Sequence, residues 1–310
     1  MKKVITMLIV AIMLVTMCSC GASTNKTSEE TTVAETLDGN RTEQNAPDTK
    51  TLKVKNNYVV GDEITDFPQA AEKTLCDTSG YKVVFKGLEY ANKNLIVNLT
   101  FENKTGESIS FDRGFFFVNE WNVESAVWYT RVTVNPFASA EAEFSIPLWE
   151  LEFRHVKTIN KISFNFVVGG EKTELFTIET DAKDKDTSFV PEGEVVYENN
   201  GVRAILPESG CIDKANNGLC VYIENNSDKP VIVNNSLTPP EDEAYKYNGK
   251  GVILYPHTKD IYFGQLEIYK IRPGSKLTFC ASSTEYNLDE MSYDKFSRVY
   301  GEEYTLEIVE

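Results

Sequence analysis

The sequence predicts an all-β protein of two tandem immunoglobulin-like antiparallel β-sandwiches, which follow a signal peptide and a disordered linker. From residue 52 onward, apolar and polar residues alternate in short segments rich in β-branched and aromatic side chains. This is the pattern of strands with one buried face. About seven or eight such segments fall in each of two stretches of roughly 110 to 130 residues, the size of an immunoglobulin-like sandwich.

Changes in composition divide the chain into five regions. They are a lipoprotein signal peptide (1–19), a lipidated cysteine with a flexible linker (20–50), β-sandwich domain 1 (51–182), a linker (183–194) and β-sandwich domain 2 (195–310).

The N-terminal segment has the features of a bacterial lipoprotein signal. Lys2 and Lys3 precede an uncharged run over 4–17, which is shorter than the roughly 20 apolar residues that span a bilayer. The run ends at Ser19-Cys20, which resembles a lipobox, so we expect cleavage before Cys20 and a diacylglycerol (palmitate) anchor on its sulfur. This predicts a lipid-anchored protein on the extracytoplasmic face of the cell membrane. A freely secreted protein and an uncleaved anchor are the alternatives.

Charge and composition restrict the partners. The chain has 47 acidic and 31 basic residues, a formal net charge of −16. Such a surface repels nucleic acid and anionic membranes, so the lipid must hold the protein at the membrane. Residues 21–50 contain almost no large apolar side chains and are predicted to form a flexible tether.

An internal repeat relates the two predicted domains. A segment of alternating apolar and polar residues, 95–103, ends in Glu102-Asn103. A similar segment, 219–225, ends in Glu224-Asn225, which lies 122 residues later. The same offset places Ile109 on Val231, which indicates a duplicated sandwich. Six residues of these two segments are predicted to point inward, toward the core: Val97, Leu99, Phe101, Leu219, Val221 and Ile223.

Several short motifs occur between residues 58 and 180. They are Val60-Gly61-Asp62, Gly87-Leu88-Glu89-Tyr90, Glu102-Asn103, Ile159-x-x-Ile162-x-Phe164-x-Phe166 and Thr177-Ile178-Glu179-Thr180. These motifs resemble those of small lipoproteins from Gram-positive, Firmicutes-type bacteria that carry tandem immunoglobulin-like domains of unknown function. The resemblance implies the same sandwich fold and an envelope-associated binding role, with no catalytic residues.

Four cysteines remain after Cys18 leaves with the signal and Cys20 takes lipid. Cys211 and Cys220 flank a turn-like Asn-Asn-Gly segment, so a hairpin disulfide between them is possible; free thiols are the alternative. Cys220 and Cys280 are out of phase with the inward aliphatic residues, which predicts that both lie on outer faces.

No catalytic centre is recognisable. The chain has only two histidines, His155 and His257, predicted at the surface, and it lacks a Gly-x-Ser-x-Gly nucleophile motif and clustered metal ligands. We therefore predict no enzyme, no metal and no cofactor. The alternative is an envelope hydrolase that acts on glycan or peptide through carboxylates brought together only by folding.

Aromatic residues are the strongest indication of a binding surface. Trp121, Trp128, Tyr129 and Trp149 crowd domain 1 and are the candidate binding aromatics, for sugar rings or a protein interface. Burial in the core is the alternative. Three consecutive residues, Phe115 to Phe117, cannot all face one core, since strand faces alternate. The sequence thus predicts a lipid-anchored extracytoplasmic binding or interaction protein, with an unknown envelope protein or glycan as partner.

Overall fold

The structure is a computed structural model, and it describes residues 49–55, 58–208, 210, 212–213, 218–238, 251–265, 274–288, 292–293 and 297–309. The predicted signal peptide, Cys20, most of the predicted tether and Cys211 lie outside the described residues.

The described chain is almost entirely β-structure, and the prediction of tandem antiparallel β-sandwiches is confirmed. Its helical segments include a short 3₁₀ turn, Glu124–Ala126, and α1, Leu148–Phe153. The strands are β1 Lys50–Lys55, β2 Lys73–Asp77, β3 Tyr81–Ala91, β4 Asn94–Asn103, β5 Ile109–Val118, β6 Trp121–Asn122, β7 Val132–Val134, β8 Ser139–Pro147, β9 Lys161–Val168, β10 Glu171–Lys172, β11 Phe176–Glu179, β12 Gly193–Asn199, β13 Val202–Pro207, β14 Ile212–Asp213, β15 Gly218–Asn225, β16 Val231–Thr238, β17 Val252–Leu254, β18 Thr258–Gln265, β19 Lys276–Asn287, β20 Ser292–Tyr293 and β21 Val299–Val309.

Each sandwich packs two sheets around its own core. Sandwich 1, strands β2 to β11, places the sheet β2-β3-β4-β8 against β5, β7, β9, β10 and β11. Sandwich 2, strands β12 to β21 with β1, places β12-β13-β15-β18 against β1-β21-β19-β16-β17. The two have matching topology, because β7 pairs with β5, and β5 with β9, as β17 pairs with β16, and β16 with β19.

Alternation along the strands builds both cores. The predicted inward residues of β4 and β15 are at most 1% exposed, which confirms the side-chain phase read from the sequence. The first core contains tilted and edge-on phenylalanine rings, for example Phe101 against Phe111 at 4.4 Å and Phe116 against Phe144 at 4.9 Å. The second is mainly aliphatic.

The first strand differs from its predicted place. The sequence assigns residues 51–55 to domain 1, whereas β1 pairs in parallel with β21 and buries Val54 in the second core. The pairing extends the exposed edge of β21 and covers its backbone groups, a need that alternation alone does not reveal.

A buried asparagine closes the same turn in each sandwich. Asn103 is 1% exposed; its amide Nδ2 donates to the carbonyls of Glu107, Val134 and Asn135 at 2.6 to 3.1 Å. Its Oδ1 accepts from the backbone N–H of Thr105 at 2.8 Å. The side chain thereby joins the end of β4 to the end of β7.

Asn225 repeats this network in sandwich 2. Its Nδ2 donates to the carbonyls of Lys229, Leu254 and Tyr255 at 2.8 to 3.3 Å, and its Oδ1 accepts from the N–H of Ser227 at 3.0 Å. Equivalent hydrogen bonds at matched positions confirm the internal repeat. They explain why both segments end in asparagine.

Replacement of Asn225 by Ala should lower the free energy of unfolding by about 3 kcal/mol, because buried carbonyls lose their donor. Asn226→Ala is the matched control, since the neighbouring side chain is exposed and should change stability by less than about 0.5 kcal/mol. Urea unfolding measures both. Equal stabilities for the two variants would contradict the assigned role.

Candidate functional site

The two sandwiches meet along a seam centred on Trp121. This side chain is fully buried, and its ring lies 5.9 Å from Tyr222 and 6.2 Å from Phe189. The ammonium of Lys259 lies 4.9 Å from the ring centre, a cation–π contact, and the Lys259 N–H donates to the carbonyl of Glu120 at 2.9 Å. Through these contacts, sandwich 1 occupies one edge of β18.

Two of the three consecutive phenylalanines also pack in this seam. Phe116 enters the first core, while Phe115 and Phe117 contact Tyr255 of sandwich 2, with ring centroids 4.1 and 5.3 Å away. The prediction that one ring must face away from the core is confirmed. His155, predicted at the surface, is half-buried and stacks on Phe189 at 4.1 Å.

A buried ion pair crosses the seam. The Arg154 guanidinium donates to Asp260 Oδ1 at 3.2 Å and to Glu150 Oε2 at 2.7 Å. Asp260 Oδ1 also accepts from the Ile261 N–H at 2.8 Å. Burial raises the pKa of Asp260 to about 6, and the nearby guanidinium only partly opposes this effect. The carboxylate is therefore held in the seam at an energetic cost near neutral pH.

We call the outer face of β13, β15 and β18 the covered face. Ile205, Cys220, Tyr222 and Ile261 lie there, are at most 3% exposed and pack into the first core. Cys220 does lie on the outer face of its own sheet, as its phase predicts. Sandwich 1 covers that face, so the residue is buried.

We call the corresponding outer face of β3, β4 and β8 the open face. The repeat places Asn98 and Thr100 at the positions of Cys220 and Tyr222, and Glu141 at the position of Ile261. These side chains, with Glu143, line a depression of about 740 Å³. The side chains at these matched positions are thus polar and uncovered, whereas their counterparts in sandwich 2 are apolar and covered.

The open face is acidic. Glu89, Glu141 and Glu143 are exposed there, and the one lysine that lines the depression, Lys86, pairs with Glu72 at 2.5 Å. The depression lies beside a bulge of β3 at Gly87, where φ is 150°, a conformation that favours glycine. Its electrostatics favour a cationic or neutral polar ligand.

One edge of β8 borders the open face. The N–H and C=O of Ser145 are both bonded to Trp128, at 3.0 and 2.8 Å. Backbone groups on one edge of an antiparallel strand recur every second residue, so those of Glu143, Glu141 and Ser139 point the same way. Within the described ranges, Trp128 is the only residue paired with this edge.

The four candidate aromatics have different environments. The prediction of a binding role for Trp121 is wrong, because the ring is buried in the seam, a contact between distant segments that no local pattern shows. Tyr129 is half-buried, donates to the Phe111 carbonyl at 2.9 Å and packs on the core. Trp128 and Trp149 are 73% and 50% exposed, so these two remain candidates.

The cysteines and charged clusters add no metal site in the part of the chain that is described. Cys76 and Cys280 are free and at least half-buried, and burial raises the pKa of both thiols. The Cys211–Cys220 disulfide stays a prediction. No group of three or more potential ligands is arranged around a metal position among the described residues. None of their helices is long and apolar enough to cross a bilayer.

A second depression, of about 440 Å³, lies beside the seam between residues 185–190 and β18. Its charged groups have partners within the protein: Glu224 accepts from the Tyr222 hydroxyl at 2.7 Å, and Lys259 lies over Trp121. The open face is therefore the better candidate site.

Trp121→Ala should lower the free energy of unfolding by about 3–5 kcal/mol, because it leaves a large cavity in the seam. Trp128→Ala, at an exposed ring, should change it by less than about 0.5 kcal/mol. Chemical denaturation distinguishes the two. Comparable losses would show that Trp128 is also a packing residue.

The Asp260 pKa predicts a pH-dependent contribution to stability. Because its folded-state pKa of about 6 exceeds the ordinary value of 3.8, the folded state binds more protons between these values, and stability falls as pH rises through that window. Asp260→Asn should remove a change of about 3 kcal/mol, at 1.36 kcal/mol per pKa unit. Urea unfolding of both proteins from pH 4 to 7 measures the difference; parallel curves would contradict the assignment.

Comparisons with known proteins do not establish a family. No protein-family model matches the chain, and no curated protein matches it. Among solved structures, the Pseudomonas aeruginosa CupB2 chaperone is similar at 10% identity and a TM-score of 0.21, over 67% of this chain and 92% of that one. A conserved domain protein from Bacillus anthracis is similar at 11% identity and a TM-score of 0.25, over 78% and 91%. Overlap at this level carries no functional information.

Proposed function

We propose that this protein is a lipid-anchored, extracytoplasmic binding protein that recognises an envelope protein or glycan without catalysing a reaction. The signal segment and Cys20 support an anchor in the cell membrane, and the acidic linker after it supports a tether that lifts the sandwiches from the surface. The resemblance of several motifs to those of Gram-positive lipoproteins with tandem immunoglobulin-like domains supports the same assignment.

The observation that carries the proposal is the contrast between the two equivalent faces. Sandwich 2 uses its face to bind another folded unit, sandwich 1, through Tyr222 and Ile261. Sandwich 1 presents the equivalent strands with polar residues at the matched outward positions, and no described residue covers them. A polar, exposed face of this kind suits reversible association in water better than permanent packing.

The competing function is hydrolysis of an envelope glycan or peptide. Glu141 and Glu143 line the open depression, and carboxylate pairs are the catalytic groups of most glycosidases. The two residues lie two positions apart on the same face of β8, and both are exposed. The depression is open to solvent and offers no enclosed space to hold a substrate away from water.

Site-specific photocrosslinking tests the binding role. A photoreactive amino acid at Thr100 or Trp128 should crosslink one dominant envelope component in intact cells, since both positions border the open face. The same amino acid at Glu174, which is exposed in the connection between β10 and β11 on the opposite side of sandwich 1, is the matched control. Equal patterns at all three positions would contradict a binding role for this face.

Two further variants test the lipid anchor and the alternative hydrolase function. Cys20→Ser should release the protein from the membrane fraction and abolish the Thr100 crosslink if the partner lies at the membrane. Release of labelled fragments from purified envelope by the wild-type protein, lost in Glu141→Gln, would instead favour the hydrolase.

A further inference from the structure

We propose that the edge of β8 binds an extended, lysine- or arginine-bearing segment of a protein partner, which adds to the sheet as a strand. This inference rests on the binding role proposed above and specifies its partner. The edge in question comprises residues 139–144, and its far end is marked by the bridge between Trp128 and Ser145.

The backbone provides the first argument. Ser139, Glu141 and Glu143 turn their N–H and C=O groups toward this edge, because the Ser145 pair with Trp128 fixes the alternation. No described residue pairs with those groups. Six residues of strand offer about 20 Å of edge, enough for a peptide segment of similar length.

The repeat supplies the second, independent argument. Lys259 in β18 is the equivalent of Ser139 in β8, and its N–H donates to the carbonyl of Glu120 from sandwich 1. The corresponding edge of sandwich 2 is thus already occupied by a short strand, β6, from outside that sandwich. The fold accepts an added segment at this position, and in sandwich 1 the position is vacant among the described residues.

Charge identifies the occupant. A strand added beside β8 brings its side chains next to Glu141 and Glu143, with Glu89 on the same face. Cross-strand pairs of opposite charge stabilise a sheet and like charges destabilise it, so the added segment should carry lysine or arginine. A second copy of this chain is disfavoured, since each copy carries a net charge of −16.

The same glutamates have a competing role, which is to prevent edge-to-edge aggregation. The two roles predict different results for Glu141→Lys with Glu143→Lys. Protection from aggregation should be retained in this variant, because lysine on an edge strand also prevents edge-to-edge pairing. Recognition of a basic segment should be lost.

The test uses the full chain in detergent and a fluorescent peptide of about eight residues, with lysine alternating with valine or threonine, long enough to span the edge. Fluorescence anisotropy should show salt-sensitive binding to the wild type. Glu141→Lys with Glu143→Lys should weaken it by about tenfold or more. Glu171→Lys with Glu174→Lys, in β10 and the connection after it, should have a smaller effect of about twofold or less.

A second pair of variants separates strand addition from simple charge attraction. Glu141→Pro and Glu141→Gln both remove the charge, but proline also removes the N–H that faces the free edge, a change that an edge strand tolerates. Proline should weaken peptide binding by about fivefold more than glutamine, with both variants checked for thermal stability.

Three results would overturn the inference: no binding to the wild type, equal losses in the β8 and control lysine variants, or equal affinities for the Pro and Gln variants. If photocrosslinking at Thr100 still captures one component in those cases, the proposed function stands and its partner is of another chemistry. If both experiments fail, the binding role at this face fails with them.

Discussion

The arrangement of the two sandwiches depends on one constraint: the outer face of β15 and β18 is apolar and must be covered. A strand presents two faces, and in sandwich 2 the second face carries Cys220, Tyr222 and Ile261. Removal of that area from water stabilises the protein by about 25 cal/mol per Å². Sandwich 1 provides the cover, which is why Trp121 is buried and why Phe189 in the connecting segment is held against it.

The seam then imposes its own requirements on polar groups. Arg154 and Asp260 are buried beside apolar side chains, so each charge requires a partner of opposite sign. Glu150 is the second carboxylate that pairs with Arg154. Such a pair contributes little net stability, because the desolvation of both ions offsets their attraction. It does disfavour any displacement of the two sandwiches that would separate the ions, and so it fixes their register.

Much of the fold could be predicted from alternation and the repeat. The inward residues of β4 and β15 and the need for Phe115 or Phe117 to leave the core follow from the period of two. The asparagine networks were visible only as a repeated Glu-Asn, because their partners Val134 and Leu254 are distant in sequence. The place of Trp121 depends on contacts between the two sandwiches, and the place of β1 depends on its pairing with β21, which is distant in sequence. No local pattern encodes either contact.

The candidate site was missed for a reason that the repeat itself could have corrected. Sequence reasoning sought exposed aromatics, whereas the informative signal is the difference between copies at outward positions. Asn98 replaces Cys220, Thr100 replaces Tyr222 and Glu141 replaces Ile261, while the inward residues stay apolar. A duplicated sandwich needs an apolar outer face only where a second unit packs permanently. Sandwich 1 has no such apolar patch at the matched positions, and no described residue pairs with the free edge of β8 at residues 139–144. The proposed binding of a partner segment depends on this unpaired edge.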